Sequence, residues 1–174
     1  MTQIASSICF RALTAHDLTA YRSMMLQAYQ QDSEVFISSV AERSAMPDAW
    51  WLQRIAASNG SSTAFGIFVA GELIAALVLE RSQRPKTQHK AQINAVYVRP
   101  AWRGQGIAGQ LLQASLQVAR QQGVEQISLS VLESNPGAKR LYQRLGFIEY
   151  GCEPMAVKHQ HAYLSKYLLW QSLI

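Results

Sequence analysis

Two periods of apolar residues run through this chain, and the points where one gives way to the other mark out its elements. Ile8-Cys9-Phe10-Arg11-Ala12 predicts a short first strand, and Thr14-Ala15-His16-Asp17 then has the capping residue and the acid three places on that open a helix. Leu18, Tyr21, Met25 and Ala28 continue it at helical spacing. Met46-Pro47-Asp48 before Ala49-Trp50-Trp51-Leu52 predicts a second helix with proline near its first turn, ended by Ser58-Asn59-Gly60. Residues 63–69 and 72–80 are rich in β-branched and aliphatic side chains and are joined by Ala70-Gly71, the two-residue link of a hairpin.

Residues 81–90 read as a polar loop and 91–98 as a further strand. From 107 to 122 the pattern returns to helix, with Leu111, Leu112, Ser115, Leu116 and Ala119 on one face and Gly123 as its stop. Residues 126–131 predict a strand, 137–145 a helix stopped by Gly146, and 147–154 and 163–170 two last strands. This order mixes hairpins with strand-helix-strand crossovers, so the sheet should hold both antiparallel and parallel pairs.

The 174 residues suit one domain over 1–174, and an apolar content of 49% is that of a packed fold rather than a disordered chain. The longest apolar stretch, Ile74-Ala75-Ala76-Leu77-Val78-Leu79, falls far short of the roughly 20 residues of a membrane helix. Met1-Thr2-Gln3-Ile4-Ala5-Ser6-Ser7 lacks the basic and apolar regions of a secretory signal, so a cytoplasmic location and no membrane partner are expected. Cys9 and Cys152 form no CxxC pair and are expected as reduced thiols, Cys152 buried and inert.

Charge changes the picture more than composition does. Residues 1–60 carry four Arg against five acids, whereas 81–144 carry ten Lys and Arg against Glu125 and Glu133. Such a run draws something anionic, either nucleic acid or a phosphorylated cofactor. No aromatic stacking pattern or recognition helix accompanies it, so nucleic acid is not expected. His159-Gln160-His161 offers two imidazoles where a metal site needs three or four ligands, so no metal is expected and the segment reads as an exposed loop.

The phosphate reading has a better address. After the strand ending at Val98 comes Arg103-Gly104-Gln105-Gly106-Ile107-Ala108-Gly109, running straight into a helix. Glycines there allow successive amides to close round a phosphate at a helix N-terminus. The stretch also matches G-x-G-x-x-G, the dinucleotide-binding turn. Against that rival, five residues separate Val98 from Gly104, the unit sits behind a hairpin, and Glu125 opens the next strand where a ribose-binding acid should close it.

Arg103-Gly104-Gln105-Gly106-Ile107-Ala108 resembles the Q/R-x-x-G-x-G/A signature of the GNAT family of N-acetyltransferases. Asn135, Ala138, Leu141-Tyr142 and Gly146-Phe147 resemble a second segment of that family, N-x-x-A-x-x-L-Y-x-x-x-G-F. The resemblance implies an α/β (α+β) fold: a mixed, mostly antiparallel sheet of six to seven strands, helices on both faces and a splayed central strand pair. It implies acetyl-coenzyme A as co-substrate and a small-molecule or peptide amine as acceptor, with direct attack in a ternary complex. A homodimer would be in keeping with it.

By the same resemblance Val96, Tyr97 and Val98 line the pantetheine arm, with the Val98 amide polarising the thioester carbonyl. Amides from Arg103 through Gly104, Gln105, Gly106 and Ile107 to Ala108 hold the pyrophosphate. Asn135 bonds the pantetheine and Tyr142 is the general acid. No base carries over: Ser130 and Asn94 stand where members of the family place acids, and Glu80 and a water chain are the remaining candidates. Asp32, Glu34 and Glu42 fall in the segment that shapes the acceptor side and could attract a cation. A non-catalytic acyl-coenzyme A sensor is the second reading of the same motifs.

Overall fold

The computed structural model describes residues 8–174, so the reading of residues 1–7 as no signal lies outside the described residues. β1 (Ile8–Ala12) enters the sheet antiparallel to β2 (Ser62–Val69), which turns into β3 (Glu72–Arg81). The turn is built as its residues require, with Ala70 and Gly71 at φ +50° and +83°, the left-handed pair of a tight hairpin. β4 (Lys90–Val98) runs antiparallel to β3, and β5 (Gln126–Leu132) parallel to β4. β6 (Ile148–His159) and β7 (Ala162–Ser172) complete a seven-stranded sheet in the order β1-β2-β3-β4-β5-β7-β6. The predicted mixed sheet is therefore found, with one parallel pair at its centre.

Between β1 and β2 lie α1 (Leu18–Gln31), α2 (Val40–Ser44) and α3 (Asp48–Ala56); α4 (Ile107–Gln121) joins β4 to β5, and α5 (Pro136–Arg144) follows β5. Side chains alternate along the central strands and sort into two cores. Phe65, Ile67, Leu77 and Leu79 face Leu111, Leu112, Leu116 and Tyr142 of α4 and α5, while Ala64, Phe68, Ala76 and Val78 face Tyr21, Met24, Met25, Trp51 and Ile55 of α1 and α3. β2, β3 and much of β4 are thus covered on both sides, which is why they read as nearly unbroken apolar runs.

Two predicted bounds shift and one helix is missed. The capping segment at Thr14 opens a single 3-10 turn, Ala15–Asp17, before α1 proper begins. The five-residue helix α2 is too short to show an apolar period, although Ser39 and Glu42 form a reciprocal capping box that announces it. β6 passes Pro154 to reach His159 by bulging, with Met155 at φ +51°, and Gln160-His161 is the turn of a long hairpin rather than a loop. Cys152 is a correction: on edge strand β6 it is exposed, not buried.

Candidate functional site

Two departures from regular pairing create the site, and both lie at the C-terminal half of β4. Residues Ala95 and Val96 oppose Leu77 alone, because the register passes from Val78↔Asn94 to Ala76↔Tyr97. Ala95 takes φ +53° to make this bulge. The parallel pairing of β4 with β5 covers only Lys90–Gln92 against Gln126–Ser128, so beyond Gln92 the two strands part. Helix α5 and the start of α4 flank the opening.

The parted edge leaves backbone groups of β4 without a strand partner. Arg99 donates its N–H to Ile74 at 2.9 Å, and antiparallel alternation then turns the Val98 amide away from β3 and towards the opening. The Val98 carbonyl on that same side accepts from Arg103 Nε at 3.0 Å. Val96 lies one alternate step back on the same edge, while Tyr97 turns its ring into the opposite core.

Past Val98, Pro100–Trp102 form a 3-10 turn and the chain enters α4 through Gly104 and Gly106, at φ +74° and +77°. A Cβ placed on either glycine would meet nothing within 4 Å, so their open sides face free space. The amides from Gly104 to Gly109 donate to no acceptor among the described residues, and the first helical bond is Gln110 N–H to Gly106 O at 3.1 Å. That is an unclosed row of N–H donors at a helix N-terminus. The Arg103 amide is not among them, since it donates to Pro100 O at 3.2 Å. Gln105 turns its side chain back to the Ala101 carbonyl at 3.1 Å, so it can offer only its amide.

These pieces line one groove of about 680 Å³, bounded by Val96, Tyr97, Val98, Arg103, Gly104, Gly106, Ile107, Ala108, Asn135 and Tyr142. Ten of the eleven sequence-predicted residues are thus brought together, Gln105 standing just outside. Trp102, Leu141 and Arg144 add to the wall. Arg103 is held in it by Asp32, whose carboxylate accepts from Nη2 at 2.6 Å and from Nη1 at 3.3 Å. This pairing and desolvation act against each other, the bond to Asp32 winning, so the guanidinium is held more firmly protonated than usual. Asp32 is therefore occupied, as is Glu42 by its cap on Ser39, and neither is a vacant cation site.

On the other wall, Asn135 caps α5 by accepting from the Ala138 N–H at 3.1 Å, which leaves its side-chain NH2 free to donate into the groove. Tyr142 packs edge-on against Phe147 at 6.0 Å between ring centres. Burial disfavours its phenolate and pushes the hydroxyl up to about 12.

Beyond Tyr142 the groove continues through the parted strands into a second cavity of about 460 Å³. Val96, Asn135 and Tyr142 border both. Its far end is polar, with Arg43, Arg54, Glu80, Asn94, Ser130 and Lys166. Glu80 is the one carboxylate among its described lining residues and pairs with Arg54 at 3.4 Å. Neither arginine was singled out in the sequence, since each looks there like an ordinary helix-surface charge.

The acetyltransferase (GNAT) family model matches residues 23–147, which include the parted strand, the amide row and Tyr142. The chain belongs to this family. Its N-terminal and C-terminal strands extend past the matched region within the same sheet. Over 77 residues the chain is 35% identical to N-alpha-acetyltransferase 30 of Schizosaccharomyces pombe, covering 44% of this chain and 51% of that protein. Over 51 residues it is 41% identical to the thialysine N-epsilon-acetyltransferase of Bos taurus, 29% of this chain and 30% of the other. The matched stretch thus spans about half of the first relative and less of the second. Among solved GNAT-like structures, one from Kribbella flavida superposes with a TM-score of 0.81 at 22% identity, over 95% of this chain and 97% of that one. An acetyltransferase from Salmonella typhimurium solved with acetyl-CoA superposes at 0.80 and 18% identity, over 97% and 95%. At these identities the superpositions establish the fold: a GNAT sheet parted at its centre.

Proposed function

We infer that the whole chain, as one domain, is an acetyl-coenzyme A-dependent N-acetyltransferase that moves an acetyl group to a primary amine by direct attack. The observation that carries this is the continuity of three features in one groove. An open row of amides from Gly104 to Gly109 leads to the unpaired Val98 amide and then to the Tyr142 hydroxyl. The residues present fit the coenzyme: glycines with free space where a Cβ would stand admit a diphosphate, and the parted edge of β4 admits an extended amide-bearing arm. Held there, the coenzyme would supply an acetyl group activated as a thioester.

The chain's own groups then divide the work. Amides of Gly104, Gln105, Gly106, Ile107 and Ala108 bind the diphosphate, while Arg103 braces the loop through Asp32 and Val98 O instead of offering its amide. Asn135 donates its NH2 to the arm. The Val98 N–H sits where it can hydrogen-bond a carbonyl oxygen that gains negative charge. Tyr142, kept protonated by burial, gives its proton to the departing sulfur. The amine arrives from the second cavity and must shed its own proton there, where Glu80 is the lining carboxylate. The acetyl group passes from sulfur to nitrogen with no covalent enzyme species.

A thiol-release assay with acetyl-coenzyme A against polyamines, amino acids, antibiotics and peptide N-termini tests the reading. Thiol release that depends on an acceptor, with mass gain on that acceptor, supports it. Tight coenzyme binding with only slow, acceptor-independent hydrolysis across the panel would leave the sensor reading in its place.

A further inference from the structure

Resting on the acetyl-transfer reading above, we propose that Arg43 and Arg54 form an oxyanion subsite in the acceptor cavity. The accepted amine is then a small molecule bearing a carboxylate or similar oxyanion. Both guanidiniums line the second cavity although they come from different helices, Arg43 from α2 and Arg54 from α3. Trp50 draws them together: their central carbons lie 4.6 and 5.0 Å from its ring centre. Two like charges thus share one indole and one cavity.

The charges there do not cancel. Of the cations lining the cavity, Lys166 is paired with Glu153, which stands outside it. Arg54 shares Glu80 at a loose 3.4 Å. Arg43 makes no ion pair among the described residues, and its one side-chain hydrogen bond there goes to the Ser38 hydroxyl. The Nε of each arginine is shut away from solvent without an acceptor. A guanidinium cannot relieve this by losing its proton, and its planar fork is matched by a carboxylate or other oxyanion. An anion in the cavity would offer acceptors to the remaining guanidinium N–H groups, of which Arg43 has one on Ser38 and Arg54 one on Glu80.

The cavity's size and its single acid sharpen the substrate class. A volume of about 460 Å³ suits a compact molecule. Glu80 beside Arg54 sets a negative group next to a positive one, the complement of an amine and an oxyanion carried close together. An amino acid or a phosphinate analogue of one has that pairing; a polyamine lacks the anion and meets two arginines.

The test compares matched acceptors on the full chain with saturating acetyl-coenzyme A: a panel of free amino acids, each against its carboxamide and its decarboxylated amine, with aminoalkyl phosphinates as a further arm. At least one free amino acid or phosphinate should be acetylated with kcat/KM roughly 30-fold or more above its neutral partner, most of the difference in KM. Preference for the phosphinate arm or the carboxylate arm then names the oxyanion. Arg43→Gln and Arg54→Gln should erase that ratio, chiefly by raising KM for the anionic acceptor towards that of its neutral partner, and Arg43→Lys should restore only part of it. Folding of each variant is checked by its melting curve, and the wild-type ratio stands without any variant. A second readout, Trp fluorescence of coenzyme-loaded protein titrated with the des-amino carboxylates, separates the two claims. Saturable carboxylate binding with no acetyl transfer would remove the enzyme and keep the subsite. Transfer to neutral amines as good as to their anionic partners, or no carboxylate binding and no transfer, would overturn the subsite.

Discussion

At the scale of single residues, Tyr142 and Gly106 separate chemistry from binding. Tyr142 is buried against Phe147 and its hydroxyl is held near 12 by loss of solvent, so it stays a proton donor across the whole working range. Its oxygen makes no hydrogen bond to the described residues, so Tyr142→Phe should cost little stability. It should lower kcat by about 10²-fold, the common worth of one placed acid, with the coenzyme dissociation constant nearly unmoved. An unchanged kcat on an accepted amine would take Tyr142 out of the reaction. Gly106 presents the opposite case, since its φ of +77° and the space above it serve only the loop. Gly106→Val should weaken coenzyme binding at least tenfold through a side chain in the groove. The left-handed backbone costs it about 1–2 kcal/mol, read as a few degrees in melting temperature. Equal binding by calorimetry would mean the amide row holds nothing.

At the scale of elements, local patterns were legible and partnerships between distant segments were not. Ala70-Gly71 announced a hairpin, and the apolar face of α4 was visible as Leu111, Leu112, Ser115, Leu116 and Ala119, all buried. The glycine turn and the Asn135–Tyr142 spacing located the groove, because those residue types answer to local backbone geometry. The bulge at Ala95 was invisible: alanine carries no mark of positive φ, and the register slip is a property of two strands together. The Asp32–Arg103 bond likewise joins segments far apart in the chain, and the Arg43–Trp50 contact joins two successive helices whose packing no local pattern shows. The exposure of Cys152 followed from β6 being an edge strand, which only strand order reveals.

A shorter-range partnership ties β1 to the turn before α1. Arg11 donates from Nη1 and Nη2 to the two oxygens of Asp17, both at 2.8 Å, and Thr14 adds its amide at 2.8 Å. These bonds, Arg11's first, hold the carboxyl at about 2 against an ordinary 3.8 despite partial burial. A carboxyl whose folded value is depressed contributes stability above its unfolded value and loses it on protonation. The contribution is therefore full above about pH 4 and fades as pH falls through about 2. Asp17→Asn should lower stability by about 1–2 kcal/mol at pH 7 and flatten the acid limb between those values. Denaturant melts of both proteins at pH 7 and pH 3 measure it; an identical acid limb would show the pair to be idle.

At the scale of the whole molecule, the sheet is a partition with a core on each face and a single gap in it, and the charge of the chain bears on what enters that gap. The net charge is +5, concentrated between residues 81 and 144. Close to the groove, most of that charge is already spent: Arg103 is tied to Asp32, Arg99 to Glu72 and Lys139 to Glu149. Arg144 differs, lining the groove with no ion pair among the described residues. On the proposed reading, a diphosphate approaching from solvent would meet neutral amides at its seat and a net positive field with Arg144 at the rim. Exposed charges act over about 10 Å at 0.1 M salt and far less at 1 M, so the field steers while the amides hold. The KM for acetyl-coenzyme A should rise several-fold from about 0.05 to 0.5 M NaCl, and Arg144→Gln should raise it at low salt and flatten that dependence. The melting temperature should move little, because the ion pairs involved are exposed. A salt-independent KM in the wild type would assign binding to the amide row alone and leave the basic middle of the chain without a part in it.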